Sequence, residues 1–83
     1  MNQIYQRVYD DYSKMSIEEL TEKKAEFESD LEYSYEKLND SKIDYNDRSE
    51  LINSDIPYDK MNIEIINAVL KNVYGIESTG RLR

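Results

Sequence analysis

The 83-residue chain contains no cysteine, no histidine and no tryptophan, and only two glycines and one proline. Each absence excludes something. Without cysteine there are no disulfides and no thiolate metal sites. Without histidine the commonest metal ligand is gone, together with the one side chain that ordinarily titrates near neutral pH. Thiol nucleophiles, histidine-based triads and imidazole general bases are therefore all unavailable. A pair of carboxylates can still hydrolyse a glycosidic bond, but that chemistry needs a rigid cleft with one acid in an apolar pocket. A single short helical domain seldom builds one, so the expectation is a non-catalytic protein with no cofactor and no metal. Long apolar runs are missing too. Met1-Asn-Gln-Ile-Tyr-Gln-Arg holds no secretory core segment, and no stretch approaches the roughly 18 apolar residues of a membrane span. A cytoplasmic protein without membrane contact is expected. In that setting the glycosylation sequon Asn39-Asp40-Ser41 carries no meaning. A chain this short buries a limited core, and of the devices small folds use to compensate, self-association is the one left.

What is present is mostly helix signal. Ile4, Tyr5, Val8, Tyr9 and Tyr12 recur at helical spacing and predict a short amphipathic helix over about 2–13. Ser16-Ile17-Glu18-Glu19 is a capping box, with Met15 and Leu20 placed as a hydrophobic staple around it. The acids Glu18, Glu19 and Glu22 suit the positive end of a helix dipole. A helix over about 16–39 follows, roughly 33 Å long from Ile17 to Leu38 at 1.5 Å per residue. Its expected buried seam is Ile17, Leu20, Phe27, Leu31, Tyr35 and Leu38, a narrow, coiled-coil-like stripe with Lys24 snorkelling at its edge. Asn39-Asp40-Ser41-Lys42 reads as a break, because such side chains bond their own backbone. A third helix is expected over about 43–53, although continuation of the second is not forbidden. Ser54-Asp55-Ile56-Pro57 reads as a turn in which proline pushes Ile56 towards extended geometry. A last helix over about 58–74 would end at Gly75 in a left-handed cap, with Ile76 completing a Schellman motif. The fold class is thus all-α: a small antiparallel bundle or long hairpin of three to four helices. One domain covers 1–76, and residues 77–83 read as a frayed tail.

One segment invites a metal reading and fails it. Asp44, Asn46 and Asp55 stand where an EF-hand loop has ligands, but Arg48 puts a cation at its fifth position and Ser49 replaces the glycine its turn needs.

The acids carry the functional signal. The whole chain has net charge −7. From Ser16 to Asp40, nine acids face three lysines, a local net of −6. Residues 60–83 net +2, from Lys60, Lys71, Arg81 and Arg83 against Glu64 and Glu77. Glu28, Glu32, Glu36 and Asp40 follow one another at i, i+4, and so do Glu18, Glu22 and Glu26. Like charges at that spacing repel, by a few tenths of a kcal/mol per pair. One reading is a solvated face that keeps a small protein soluble. The other is a row of carboxylates about 6 Å apart that imitates phosphates and fills a basic groove on a target protein. Direct nucleic-acid binding is disfavoured by the charge and by the lack of a basic patch. Tyr33 falls opposite the Leu20–Phe27–Leu31 seam, beside Glu22, Glu26 and Asp40. It is either an interface aromatic or covered by another helix. The candidate partner surface is therefore Glu22, Glu26, Glu28, Glu32, Tyr33, Glu36 and Asp40.

The last helix is apolar over most of its circumference: Met61, Ile63, Ile65, Ile66, Ala68, Val69, Leu70, Val73 and Tyr74, against Lys60, Glu64, Asn67 and Lys71. Such a helix is either central to the bundle or partly an interface. If it is an interface, Ile65, Ile66, Val69 and Val73 form it, and the protein is a homodimer or grips a second partner there. Two functional classes remain: an acidic inhibitor or regulator acting on a basic protein surface, and a self-associating scaffold or adaptor.

Overall fold

The computed structural model describes residues 3–76. They form α1 (Gln3–Ser13), α2 (Ile17–Leu38), α3 (Tyr45–Glu50), a π-helical turn (Leu51–Asp55) and α4 (Ile56–Tyr74), with no strand among the described residues. The fold is a small all-α bundle of three rods, because α3, the π turn and α4 run on without interruption. The expected tail at 77–83 lies outside the described residues.

The start of α2 follows the local chemistry of its sequence. The Ser16 hydroxyl accepts the Glu19 amide at 3.1 Å, and the Ser16 amide donates to Glu19 Oε1 at 2.9 Å. Leu20 is fully buried, and the half-buried Met15 packs against the core cluster that contains it, as a hydrophobic staple requires. At the other end Asn39–Asp40 breaks the helix. The Asp40 carboxylate accepts the Lys42 amide at 3.0 Å, a side-chain bond that competes with helical continuation.

The third rod departs from expectation. Residues 54–57 are not a turn: Ile56 has φ −66° and ψ −48°, and Pro57 sits inside the helix. In an unbroken α-helix the Pro57 ring would collide with the Asn53 carbonyl and leave it without a donor. The π turn removes that conflict by widening the backbone just before the proline, and the Ile56 amide reaches back five residues to the Leu51 carbonyl. It also sets phase. Five residues of α-helix separate two side chains by about 140°, yet Leu51 and Ile56 are both buried. The extra residue per turn brings them to one face, which accounts for the phase shift in the apolar pattern.

α4 ends at Gly75, whose φ of +73° is left-handed and suits a residue without a Cβ. Gly75 donates to the Lys71 carbonyl, and Ile76 donates to the Leu70 carbonyl at 2.8 Å, one residue further back than a Schellman motif reaches.

α4 is the centre of the bundle. α1 and α2 both pack chiefly on it, and the core cluster is Tyr12, Leu20, Ile65, Ile66, Val69 and Leu70. Burying each aliphatic side chain of that set contributes about 1.5–3 kcal/mol relative to leaving it exposed. α2 and α4 run antiparallel: Met15 meets Tyr74, Phe27 packs edge-on against Tyr58 at 6.0 Å, and Asp30 and Ser34 share a cleft with Asp55 and Asp59. The seam of α2 differs in detail from the expected stripe. Ile17 and Tyr35 are exposed, Phe27, Leu31 and Leu38 are half-buried, and Ser34 is buried. α4 therefore meets α2 on the Ser34 side of the stripe, away from Tyr35.

Polar pins fix α1 and the linker to α4. The Tyr12 hydroxyl donates to Asn62 Oδ1 at 2.6 Å, and Asn62 Nδ2 donates to the Tyr58 carbonyl at 2.9 Å. Burial raises the Tyr12 pKa, helped by Tyr58 and the Asp11 charge. Asn72 Nδ2 donates to the Tyr9 hydroxyl, and the Tyr74 hydroxyl donates to the Met15 carbonyl between α1 and α2.

This arrangement corrects the self-association set. Ile65, Ile66 and Val69 are fully enclosed within one chain and cannot line a contact between folded copies. The apolar excess of α4 is used twice, once by α1 and once by α2. Of the four, only Val73 stays exposed, at 47 %.

Candidate protein-binding surface

Glu22, Glu26, Glu28, Glu32, Tyr33 and Glu36 are all exposed on α2, and Asp40 is exposed in the turn just past its end. The i, i+4 row from Glu28 to Glu36 winds slowly across the open side of the helix, since each step of four falls about 40° past a full turn. Tyr33 is 61 % exposed, so α1 does not cover it. Its ring lies 5.6 Å from Lys37 Nζ, a distance at which the aromatic face attracts a cation. Asp40 differs from the other acids, because one of its oxygens already holds the turn after α2.

The acidic surface continues into a cleft of about 310 Å³ between α2 and the third rod. α2 supplies Asp30, Tyr33 and Ser34, the π turn supplies Asp55, and α4 supplies Tyr58 and Asp59. Ser34 and Asp59 are only 5 % and 6 % exposed. Among the described residues neither side chain has a hydrogen-bond partner. The Asp59 carboxyl is pushed above its ordinary pKa, first by burial and then by the charges of Asp30 and Asp55. A second, smaller cleft of about 230 Å³ lies further back along α2, lined by Met15, Glu19, Glu22, Lys23 and Glu26.

Asp30, Ser34, Asp55, Tyr58 and Asp59 were not among the residues expected from sequence. Each half of the cleft has a local signal: Asp30 and Ser34 are four apart, and so are Asp55 and Asp59. Only the packing of the two rods brings the halves together. The acids do not make a metal site, since no group of three or more potential ligands among the described residues is arranged to hold an ion. Residues 45–55, where the calcium-loop comparison arose, are helical. No described helix is long and apolar enough to cross a membrane.

No protein-family model matches the chain, and no match was found among curated proteins or solved structures.

Proposed function

We propose that the protein is a non-catalytic binding module, a small acidic inhibitor or regulator that occupies a basic, nucleic-acid-binding groove on a target protein. The observation that carries this reading is the exposed acidic face of α2 with Tyr33 standing open in it. Carboxylates spaced along a rigid rod present a basic groove with the charge pattern it uses on phosphates. A large aromatic amid those charges supplies contact area and a hydroxyl at low entropic cost. The i, i+4 repulsion along the row is a standing cost to the free protein that a cationic partner would relieve. The scaffold alternative is weakened, because three of the four residues it relied on are spent in the core.

The test is affinity capture from the native host, with the wild type and a variant carrying Glu28→Gln, Glu32→Gln, Glu36→Gln and Asp40→Gln used side by side. The expected result is a basic protein held by the wild type, released steeply by salt, displaced by duplex DNA and lost to the Gln variant. If the Gln variant retains the same partner with the same salt dependence, the acids are only a solvated face and the proposal is wrong.

A further inference from the structure

The cleft between α2 and the third rod offers more than negative charge. It holds two polar side chains, Ser34 and Asp59, that are more than nine-tenths buried and have no hydrogen-bond partner among the described residues. One comes from α2 and the other from α4, and both face the same space. Their oxygens are not closed off from solvent but open into the cleft, so both groups are free to bond a ligand that enters it. Asp30 and Asp55 add two further acceptors at the rim, and Tyr33 and Tyr58 stand as aromatic walls, one from each rod.

We propose that this cleft is a receptor for a guanidinium group, namely an arginine side chain presented by the target. The donor count and the shape both point that way. A guanidinium has five N–H donors in a plane and no acceptor, and the cleft presents three carboxylates and a hydroxyl. Its planar cation stacks on aromatic faces, which a compact ammonium does less well. Tyr33 already draws the ammonium of Lys37 to its ring. A bare metal ion is not accommodated, because no set of three acids among the described residues has ligand geometry. The volume, about 310 Å³, lies at the small end of ligand pockets and suits one side-chain head with its stem. The identity of the carrier as the target protein rests on the function proposed above; the guanidinium specificity rests on the cleft alone.

The experiment titrates the whole, isotope-labelled protein with Nα-acetyl-arginine methylamide, and separately with the matching lysine derivative and with spermidine, following backbone amide shifts by NMR. Saturable shifts confined to the amides around Asp30, Ser34, Asp55 and Asp59 are expected for the arginine probe, with weaker responses to the other two. Asp59→Asn, which keeps the shape, should weaken the arginine probe about ten-fold or more, the size expected for one charge-assisted hydrogen bond. Ser34→Ala and Asp30→Asn give independent checks should one variant misfold. Shifts that never saturate and spread along all of α2 would overturn the proposal, as would equal or tighter binding of lysine or spermidine. The Gln variant of the α2 row leaves the cleft intact. Loss of the target by that variant with no arginine binding by the wild type therefore refutes the cleft and leaves the proposed function standing. Arginine binding by the wild type with no effect of the Gln row does the reverse.

Discussion

Tyr12→Phe removes one atom from the pin between α1 and α4, and its effect can be worked out group by group. The ring stays, so the apolar area that Tyr12 buries is unchanged and drops out of the comparison. The Asn62 amide nitrogen keeps its bond to the Tyr58 carbonyl. Asn62 Oδ1 loses the Tyr12 hydroxyl 2.6 Å away, and Asn62 is 2 % exposed, so water does not replace it. Leaving a buried acceptor unsatisfied costs about 1–3 kcal/mol. In a domain of this size each kcal/mol moves the Tm by roughly 4–8 °C, so a fall of about 10 °C is expected. Circular dichroism melts, backed by urea titration, read it directly. A thermodynamic cycle sharpens the test. Asn62→Leu orphans the Tyr12 hydroxyl, and the double variant Tyr12→Phe/Asn62→Leu should be less damaged than the two single losses summed. If Tyr12→Phe melts with the wild type, or the cycle is additive within about 0.5 kcal/mol, the bond does not hold α1 in place.

Other expectations follow from the same structure. Ser16→Ala should lower stability by about 1 kcal/mol, because the Glu19 amide loses its cap; an unchanged Tm would mean that the hydroxyl bond to Glu19 contributes nothing. Val69→Glu places a carboxylate in a fully enclosed site and should give an unfolded chain, whereas Val73→Glu, at an exposed position, should remain folded. Sedimentation and circular dichroism separate the two, and a folded, monomeric Val69→Glu protein would contradict the assigned core. Asp59 sets a pH dependence. Its folded pKa lies above the ordinary 3.8, raised by burial and by Asp30 on α2 and Asp55 in the π turn, with Tyr33 and Tyr58 beside it. In the window just above 3.8 the folded chain holds a proton that the unfolded chain has released, so stability falls as pH rises through that window. Urea midpoints across that range should show this slope in the wild type and a flatter one in Asp59→Asn; equal slopes would remove Asp59 as its source.

Features that depend on neighbouring residues were legible before the structure. The capping box at Ser16, the break at Asn39–Asp40 and the glycine stop at Gly75 are each decided within a few residues. So was the exposure of the acids, since eight carboxylates on one helix outnumber what any small core could hide. Pro57 departs from the usual rule that a helix ends before proline, because one widened turn absorbs the ring and carries the helix through. Ser34 and Tyr35 exchanged roles because the approach line of α4 selects among adjacent positions, and periodicity within α2 alone cannot fix that line. For the same reason periodicity within α4 leaves open whether Ile65, Ile66 and Val69 are central or an interface, and the packing of α1 and α2 on them decides for the core. The cleft required two rods at once: each carries only an i, i+4 pair, Asp30 with Ser34 and Asp55 with Asp59, and neither pair points to the other.

The central position of α4 bears on how the chain acquires its fold as it is made. α1 and α2 leave the ribosome first, and the surface that each is built to cover comes last. The capping box lets α2 flicker into helix, but an isolated helix of this length is marginal in water. Tyr12 must wait for Asn62, fifty positions later in the chain. Closure of so long a loop precedes any reward from the contacts it allows, which slows folding relative to a bundle whose successive helices pack in turn. Nascent chains halted before residue 56 should therefore show no protected amides in hydrogen exchange. The fold should arrive in one step, when Val69 and Leu70 emerge, and a chain cut short of them should be an unfolded polypeptide, not a smaller bundle.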